Sequence, residues 1–372
     1  MYRIIRVCLL GLENVPVLLP GFDAFRVGGE EVQQSLLASA LSRMGYVVSV
    51  VSMDYGQGDR SVHNGVTVFK AYRRDGGLPV LRFLHPRLTS LWSALRRADS
   101  NVYYTSCAGF HVGVLALFCR IHGRKFIYRV AHDYDCDPSR LLIHLARDKF
   151  LYEYGLRQAH TILAQSERQR ALLLENYGLS SQLAAMLVEK PHRRLARHER
   201  DIDLLWVNNI RRIKRPDRVL DLAECLPDLK VHMVGGAHEP ELYNQVKARA
   251  FRLPNVVFHG AVPYREVGRL YDRSHLLINC SEAEGFPNSY LQSWIRGIPV
   301  VAFFDPDGLI RHEGLGVQVG TLEEMVCSVR HLLSSESALE ECSARCVDFM
   351  RRRYSDEDVV SPYTSAIENA MQ

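Results

Sequence analysis

The sequence is poor in several features, and each shortage removes a class of protein. Charge of one sign is not in large excess: 46 Lys and Arg against 42 Asp and Glu leave a formal net charge of +4. That suits an anionic small molecule or a membrane surface but is too small to argue for nucleic acid, for which the chain carries no binding motif. Long apolar runs are missing as well. The opening MYRIIRVCLL is interrupted by Arg3 and Arg6, so it reads as a first buried strand and not as a signal peptide or membrane span. There is no cysteine framework, because nine scattered cysteines, an odd number, fit reduced thiols better than disulfides. Cys342 and Cys346 share a helix face, but without a second ligand pair they make no metal site. With 47% of 372 residues hydrophobic, disorder is not expected and two domains can each bury a core. A cytoplasmic protein is the expectation.

What the sequence has instead is alternation. The apolar segments YRIIRVCLL, YVVSVVS, VTVFKAY, VYYTSC and FIYRVAH in the first half, then DLLWVNN, KVHMVGG, VVFHG, HLLINCS and IPVVAF in the second, are separated by helical stretches. That pattern predicts an α/β fold of parallel sheets covered on both faces. Residues 30–44 form one such helix, with Val32, Leu36, Leu37, Ala40 and Leu41 at helical spacing and Gly45 as its stop. The polar, basic KPHRRLARHERD is the sharpest break in composition. It divides the chain into a first domain over 1–190, a linker over 191–201, a second domain over 202–354, and a last helical segment, 355–372, able to pack back on the first. Two doubly wound domains would bind ligand at the carboxyl ends of their strands, in a cleft between them.

The stretch SEAEGFPNSYLQSWIRGIPVVAF (281–303) concentrates chemistry. Pro287 suits a first helical turn, Asn288 or Ser289 a cap, and Gly297 with Pro299 a stop. Leu291, Trp294 and Ile295 make an apolar stripe, with Gln292 at its edge. Glu284 and Gln292 can bond hydroxyls beside a helix start that suits phosphate. Read locally, this is either a seat for a sugar nucleotide or the strand-loop-helix unit of any α/β protein.

Glu284, Gly285, Phe286, Gln292, Gly297, Pro299, Val300 and Val301 resemble the signature of glycosyltransferase family 4, which has the two-domain GT-B fold. Its second Glu is Gln292 here, a departure that exchanges a charged acceptor for a neutral amide. VNNIRRIKRPDRVLDLA (207–223), HMVGG (232–236) and NVVFHGAVP (255–263) match in order, so the resemblance covers nearly the whole chain. It implies a retaining transferase in which the acceptor hydroxyl attacks on the face the nucleotide leaves and donor phosphate takes the proton. Lys214 reaches the diphosphate, with Arg211 as a second clamp because Asn209 stands where the family more often has Arg; Arg211 and Arg212 equally suit a solvated surface loop. Glu284 binds sugar hydroxyls and Gln292 the ribose. Val262, Gly285, Phe286, Pro287 and Asn288 complete the donor site.

In the first half, Gly28-Gly29 matches the family's turn before the first helix, where backbone approaches phosphates. His132, at the end of FIYRVAH, matches a family His that bonds the sugar or assists proton transfer. The adjoining DYDCD (133–137) looks like the Asp-x-Asp metal site of the GT-A fold, as does Asp305-Pro306-Asp307. A basic diphosphate clamp makes a metal unnecessary, and no cofactor is expected. LRFLHPRLTSLWSALRRA (81–98) places Leu84, Leu88, Leu91, Trp92 and Leu95 on one face among arginines. That face either docks on an anionic membrane near a lipid-linked acceptor or packs into the core. The function expected is hexose transfer from a nucleotide diphosphate sugar to a glycan or lipid-linked acceptor in surface polysaccharide synthesis. Two rivals remain: a sugar-nucleotide epimerase or hydrolase of the same fold, and an inactive binding module that lost activity through Gln292.

Overall fold

The computed structural model describes residues 4–22, 25, 27–79, 81–191 and 193–372. The chain forms two compact units, one reaching Leu187 and rejoined by Asp356–Gln372, the other Val188–Ser355.

In the first unit the strands are β1 (Arg6–Leu10), β2 (Val47–Ser52), β3 (Arg60–His63), β4 (Val66–Lys70), β5 (Val102–Ser106), β6 (Lys125–Arg129), β7 (Thr161–Ala164) and β8 (Gln182–Leu183). They lie in the order β3-β4-β2-β1-β5-β6-β7-β8. All neighbours are parallel except β3 and β4, a hairpin closed by Asn64 and Gly65 at φ 48° and 77°. Both residues of a type I′ turn need positive φ, which Asn-Gly supplies. Nearly unbroken burial of β2 and β5 explains their continuous apolar sequences. Helices Phe110–Ile121 and Ala146–Gln158 cross tightly because Gly113 and Gly155 have no side chains: a Cβ on Gly113 would lie 2.2 Å from the Leu151 carbonyl oxygen.

The helix expected over 30–44 runs Gly29–Arg43 and stops at Gly45, φ 90°. The 81–98 stretch is not one amphipathic helix. It breaks at His85, and only Thr89–Ala98 is regular. Leu91 and Leu95 are buried there and Trp92 packs on Phe118 at 5.1 Å, so this face belongs to the core, while Leu84 is exposed. The final helix, Asp356–Met371, joins the first unit, where the Tyr363 hydroxyl donates to the Ala185 carbonyl at 3.0 Å.

The second unit contains β9 (Ile202–Val207), β10 (Val231–Val234), β11 (Val256–Gly260), β12 (Ser274–Asn279), β13 (Val300–Ala302) and β14 (Gly316–Gln318), all parallel, in the order β11-β10-β9-β12-β13-β14. Counted from its own first strand this is 3-2-1-4-5-6, the Rossmann order, whose reversal point lies between β9 and β12. Within 191–201, His192 lies outside the described residues; Arg194 donates to the Ile295 carbonyl and Arg200 to that of Ser274, at 2.9 and 3.0 Å.

Candidate functional site

In a doubly wound sheet the two strands at the reversal point send their following loops to opposite faces, leaving a crevice at their carboxyl ends. Lys214 lies in the loop after β9 and Glu284 in the loop after β12. The Lys214 ammonium donates to Glu284 Oε2, and their side chains are only 15% and 8% exposed. Two further bonds join the loops: Glu282 N–H donates to the Ile213 carbonyl at 2.9 Å, and Arg215 donates to Glu282 Oε1 at 2.7 Å. Arg215 also pairs with Asp217, so it is spent on holding the loop. Arg211 is half-buried and makes no ion pair with any described residue, whereas Arg212 is exposed and lies 3.6 Å from Glu239.

Gly285 and Pro287 are buried behind Glu284, and Phe286 packs edge-on to Trp294 with centroids 6.5 Å apart. Pro287 is the residue before the helix, with φ −71° and ψ 117°, and not part of its first turn; Asn288 opens the helix Asn288–Trp294. Neither Asn288 nor Ser289 therefore occupies the capping position expected of it. Gly297 ends the segment at φ 68°, where a Cβ would also lie 2.7 Å from Ser343 Oγ. Val262 lies in the loop after β11, at the same carboxyl edge but two strands from β9. Gln292 Oε1 accepts from Arg296 at 2.7 Å, and Arg296 in turn donates to Asp272 at 2.7 Å. The side-chain carbonyl of Gln292 is thus engaged by Arg296, and its other end is an N–H donor.

The first unit gathers a second group at the carboxyl edge of β5 and β6. Gly28 precedes the helix that Gly29 opens, and its φ of −104° is open to any residue. A Cβ on Gly28 would meet Glu31 Oε2 at 2.3 Å, so a carboxylate leans over the turn. Glu30 accepts two bonds from the fully buried Arg129, at 2.6 and 2.7 Å, and a third from Ser106. This pair had no signal in the sequence, since its members stand 99 residues apart.

His132 sits half-buried after β6. Its Nδ1 accepts from Tyr134 N–H at 3.1 Å, which leaves Nε2 to carry the proton and donate. Asp135 accepts from the backbone N–H groups of Ala131 and His132 at 3.2 and 3.1 Å and so fixes the turn. Burial pushes its carboxyl up to about 7 against the pull of those N–H groups. Asp133 accepts from Gln169 at 3.2 Å and pairs with Arg168 at 3.1 Å. Asp137 accepts from the Ser139 N–H and hydroxyl at 2.9 and 2.6 Å, so all three Asp side chains of the Asp-x-Asp look-alike have protein partners. Asp305 is committed too, accepting from Ile310 N–H at 2.8 Å and pairing with Arg311. Among the described residues no group of three or more His, Cys, Asp or Glu is placed to hold a metal ion, and no helix is long and apolar enough to cross a membrane.

Both halves of the chain match known families: residues 28–187 the Glycosyl transferase 4-like domain, and residues 201–335 the Glycosyl transferases group 1. Solved structures share its architecture. Sucrose-phosphate synthase from Thermosynechococcus elongatus is 14% identical with a TM-score of 0.77, over 99% of each chain. HepE from Anabaena, solved with UDP-glucose, is 14% identical with a TM-score of 0.72, over 98% of this chain and 100% of that one. A glycosyltransferase from Rickettsia africae is 12% identical with a TM-score of 0.69 over 100% of both. At such identities the likeness establishes the fold alone. No curated protein matches the sequence.

Proposed function

We propose that this chain, a GT-B-fold member of a glycosyltransferase family, is a retaining enzyme of family 4. In this reading it moves a hexose from a nucleotide diphosphate sugar to a hydroxyl of a glycan or lipid-linked acceptor, without a metal ion, during surface polysaccharide assembly in the cytoplasm. The supporting observation is the buried Lys214–Glu284 pair at the reversal point of the second sheet.

An ammonium and a carboxylate held against each other at a ligand-binding edge are two halves of a recognition device. An arriving diphosphate draws Lys214 to itself, with Arg211 as the second cation, and Glu284 is released to accept from the hydroxyls of the sugar. As the bond from the anomeric carbon to the β-phosphate oxygen breaks, negative charge grows on the nucleotide, and Lys214 stabilises it. The acceptor oxygen forms the new bond from the same face and its proton passes to the leaving phosphate oxygen. Gln292 offers its amide to the ribose, while Val262, Gly285, Phe286, Pro287 and Asn288 shape the donor pocket. His132, which donates through Nε2, serves as a hydrogen-bond donor to a sugar hydroxyl and not as a base, because its other nitrogen already accepts a backbone bond. Gly28 and Gly29 provide backbone for phosphate or acceptor, a role that the Glu31 carboxylate over Gly28 opposes unless it moves.

The test is calorimetry without added metal against UDP, GDP, ADP and their hexose conjugates. Selective binding of one sugar nucleotide, lost in Lys214→Ala and Glu284→Ala, supports the reading. A folded protein that binds none of the panel refutes it. Turnover of donor without acceptor would instead identify an epimerase or hydrolase. If Gln292→Glu greatly raised donor affinity, with no turnover in either form, the inactive module would be the better account.

A further inference from the structure

We infer that Arg129 is a positioning residue, which fixes the Gly28–Gly29 turn relative to the His132 turn by holding Glu30. The inference rests on the transfer reading, in which both turns meet the hexose, and it gives a task to a buried ion pair that no motif of the sequence names.

Arg129 ends β6 and is 1% exposed. Its register partner on β5 is Ser106, so the two side chains stand next to each other on one face of the sheet, at its carboxyl edge. One guanidinium nitrogen donates to both carboxylate oxygens of Glu30, and the Ser106 hydroxyl donates to the same carboxylate. Gln34, one turn further along the helix that carries Glu30, donates to Ser106 Oγ at 2.5 Å. The other terminal nitrogen of Arg129 donates to the Tyr363 hydroxyl at 3.4 Å, so the final helix covers the cluster.

Both ends of the ion pair lead straight to the candidate site. Glu30 directly follows Gly28-Gly29, and only Val130 and Ala131 separate Arg129 from His132. The backbone of that short link is itself held: Val130 N–H donates to the Leu163 carbonyl at 2.9 Å, and the N–H groups of Ala131 and His132 donate to Asp135. A continuous set of bonds therefore runs from the His132 turn through Arg129 and Glu30 to the Gly28–Gly29 turn.

Stability alone does not account for such a pair. Burying two charges costs desolvation, and an apolar pair of similar volume is often at least as stable, whereas a guanidinium on a carboxylate admits a narrow range of geometries. Placement is what the charged pair adds. It matters here because the Glu31 carboxylate leans over Gly28 and must swing away before backbone there can approach a ligand. With Glu30 tethered, Glu31 can move while the start of the helix stays in register with His132.

The experiment compares the full chain with Glu30→Asp and with the double variant Arg129→Met, Glu30→Gln. The readouts are calorimetry against UDP, GDP, ADP and their hexose conjugates, and hydrogen exchange over residues 28–34. Glu30→Asp keeps both charges and shortens the link by about 1.5 Å. The double variant strands no charge and should keep the urea midpoint of the wild type. In both variants the bare diphosphate should bind within about twofold of the wild type, while the additional affinity of the hexose conjugate falls about tenfold, the worth of one misplaced hydrogen bond. Exchange over residues 28–31 should rise about tenfold in the double variant and stay unchanged in the helices Phe110–Ile121 and Ala146–Gln158. A conjugate that keeps its advantage in both variants overturns the inference. So does an equal loss for conjugate and bare diphosphate, which would mark general damage. If the double variant does not fold, the calorimetry of Glu30→Asp decides. If the wild type binds no member of the panel, the transfer reading fails instead, and exchange alone tests the tether: a rise over residues 28–31 upholds it and an unchanged rate removes it.

Discussion

Replacing Glu284 with Gln should tighten the binding of a bare nucleoside diphosphate while removing much of the advantage its sugar conjugate enjoys. Lys214 and Glu284 are bonded to each other and nearly enclosed, so a phosphate that recruits Lys214 must first compete with a carboxylate. A charge-assisted bond of this kind contributes about 2 kcal/mol. The neutral amide of the Glu284→Gln variant would compete weakly and would not repel phosphate, a gain of about 1 kcal/mol, or roughly fivefold in affinity for the diphosphate. The sugar loses a charged acceptor, and its extra affinity falls about tenfold. Lys214→Met should weaken diphosphate and conjugate alike by about thirtyfold. It should also destabilise the second unit by about 2–3 kcal/mol, because it strands a buried carboxylate, whereas the double variant with Glu284→Gln recovers most of that loss. Calorimetry measures the first set of effects. Urea unfolding followed by tryptophan fluorescence measures the second, through the buried Trp206 and Trp294. If Glu284→Gln weakens the bare diphosphate as much as Lys214→Met does, the pair is a structural clasp and the exchange of partners is wrong.

Acid should loosen the second unit through two neighbouring histidines. His232 Nδ1 and His259 Nε2 are 3.0 Å apart, and burial, then the adjacent His259, holds His232 down at about 4. The unfolded chain takes up this proton near 6.5 and the folded one resists it, so the stabilisation is full above about pH 6.5 and is lost as pH falls towards 4. Between pH 7 and pH 5, His232→Gln should lose about 1 kcal/mol less unfolding free energy than the wild type, the full linkage value being cut roughly by half for solvent screening of the ring. An equal loss in both would remove His232 from the account. Gly113→Ala should destabilise the first unit by about 2–3 kcal/mol, since its Cβ would meet a backbone oxygen that cannot step aside. A melting temperature unchanged by that substitution would mean that the two helices have room to separate.

The parallel sheets were legible because strands buried on both faces become continuous apolar words such as YVVSVVS, and ten of these stand out. TILA and GVQ make strands as well, but segments of three or four residues carry too little pattern to separate them from loops. The β3–β4 hairpin escaped for another reason. Its Asn64-Gly65 signal was present, yet a fold read as wholly parallel left no place for a reversal. Lys214 and Glu284 could be named from their motifs, whereas Glu30 with Arg129 could not, and Asp135 stood out only within a metal look-alike and not as a buried carboxyl. Each owes its environment to residues remote in sequence, and periodicity records only local neighbours.

Gln292 shows how a departure from a motif can be balanced locally. Arg296, its neighbour one turn on, is buried and already has a carboxylate partner in Asp272. With Gln at 292 the three side chains sum to no net charge, and the guanidinium still finds an oxygen at 2.7 Å. A Glu at this position would set two carboxylates against one guanidinium and leave a net negative charge on the helix that follows Glu284, unfavourable to an incoming diphosphate. In the proposed donor site the neutral amide would avoid that repulsion and would keep an N–H donor, while giving up a charged acceptor. What the substitution removes in hydroxyl recognition it partly returns in tolerance of phosphate, so the absence of the second Glu does not by itself imply the absence of a donor site.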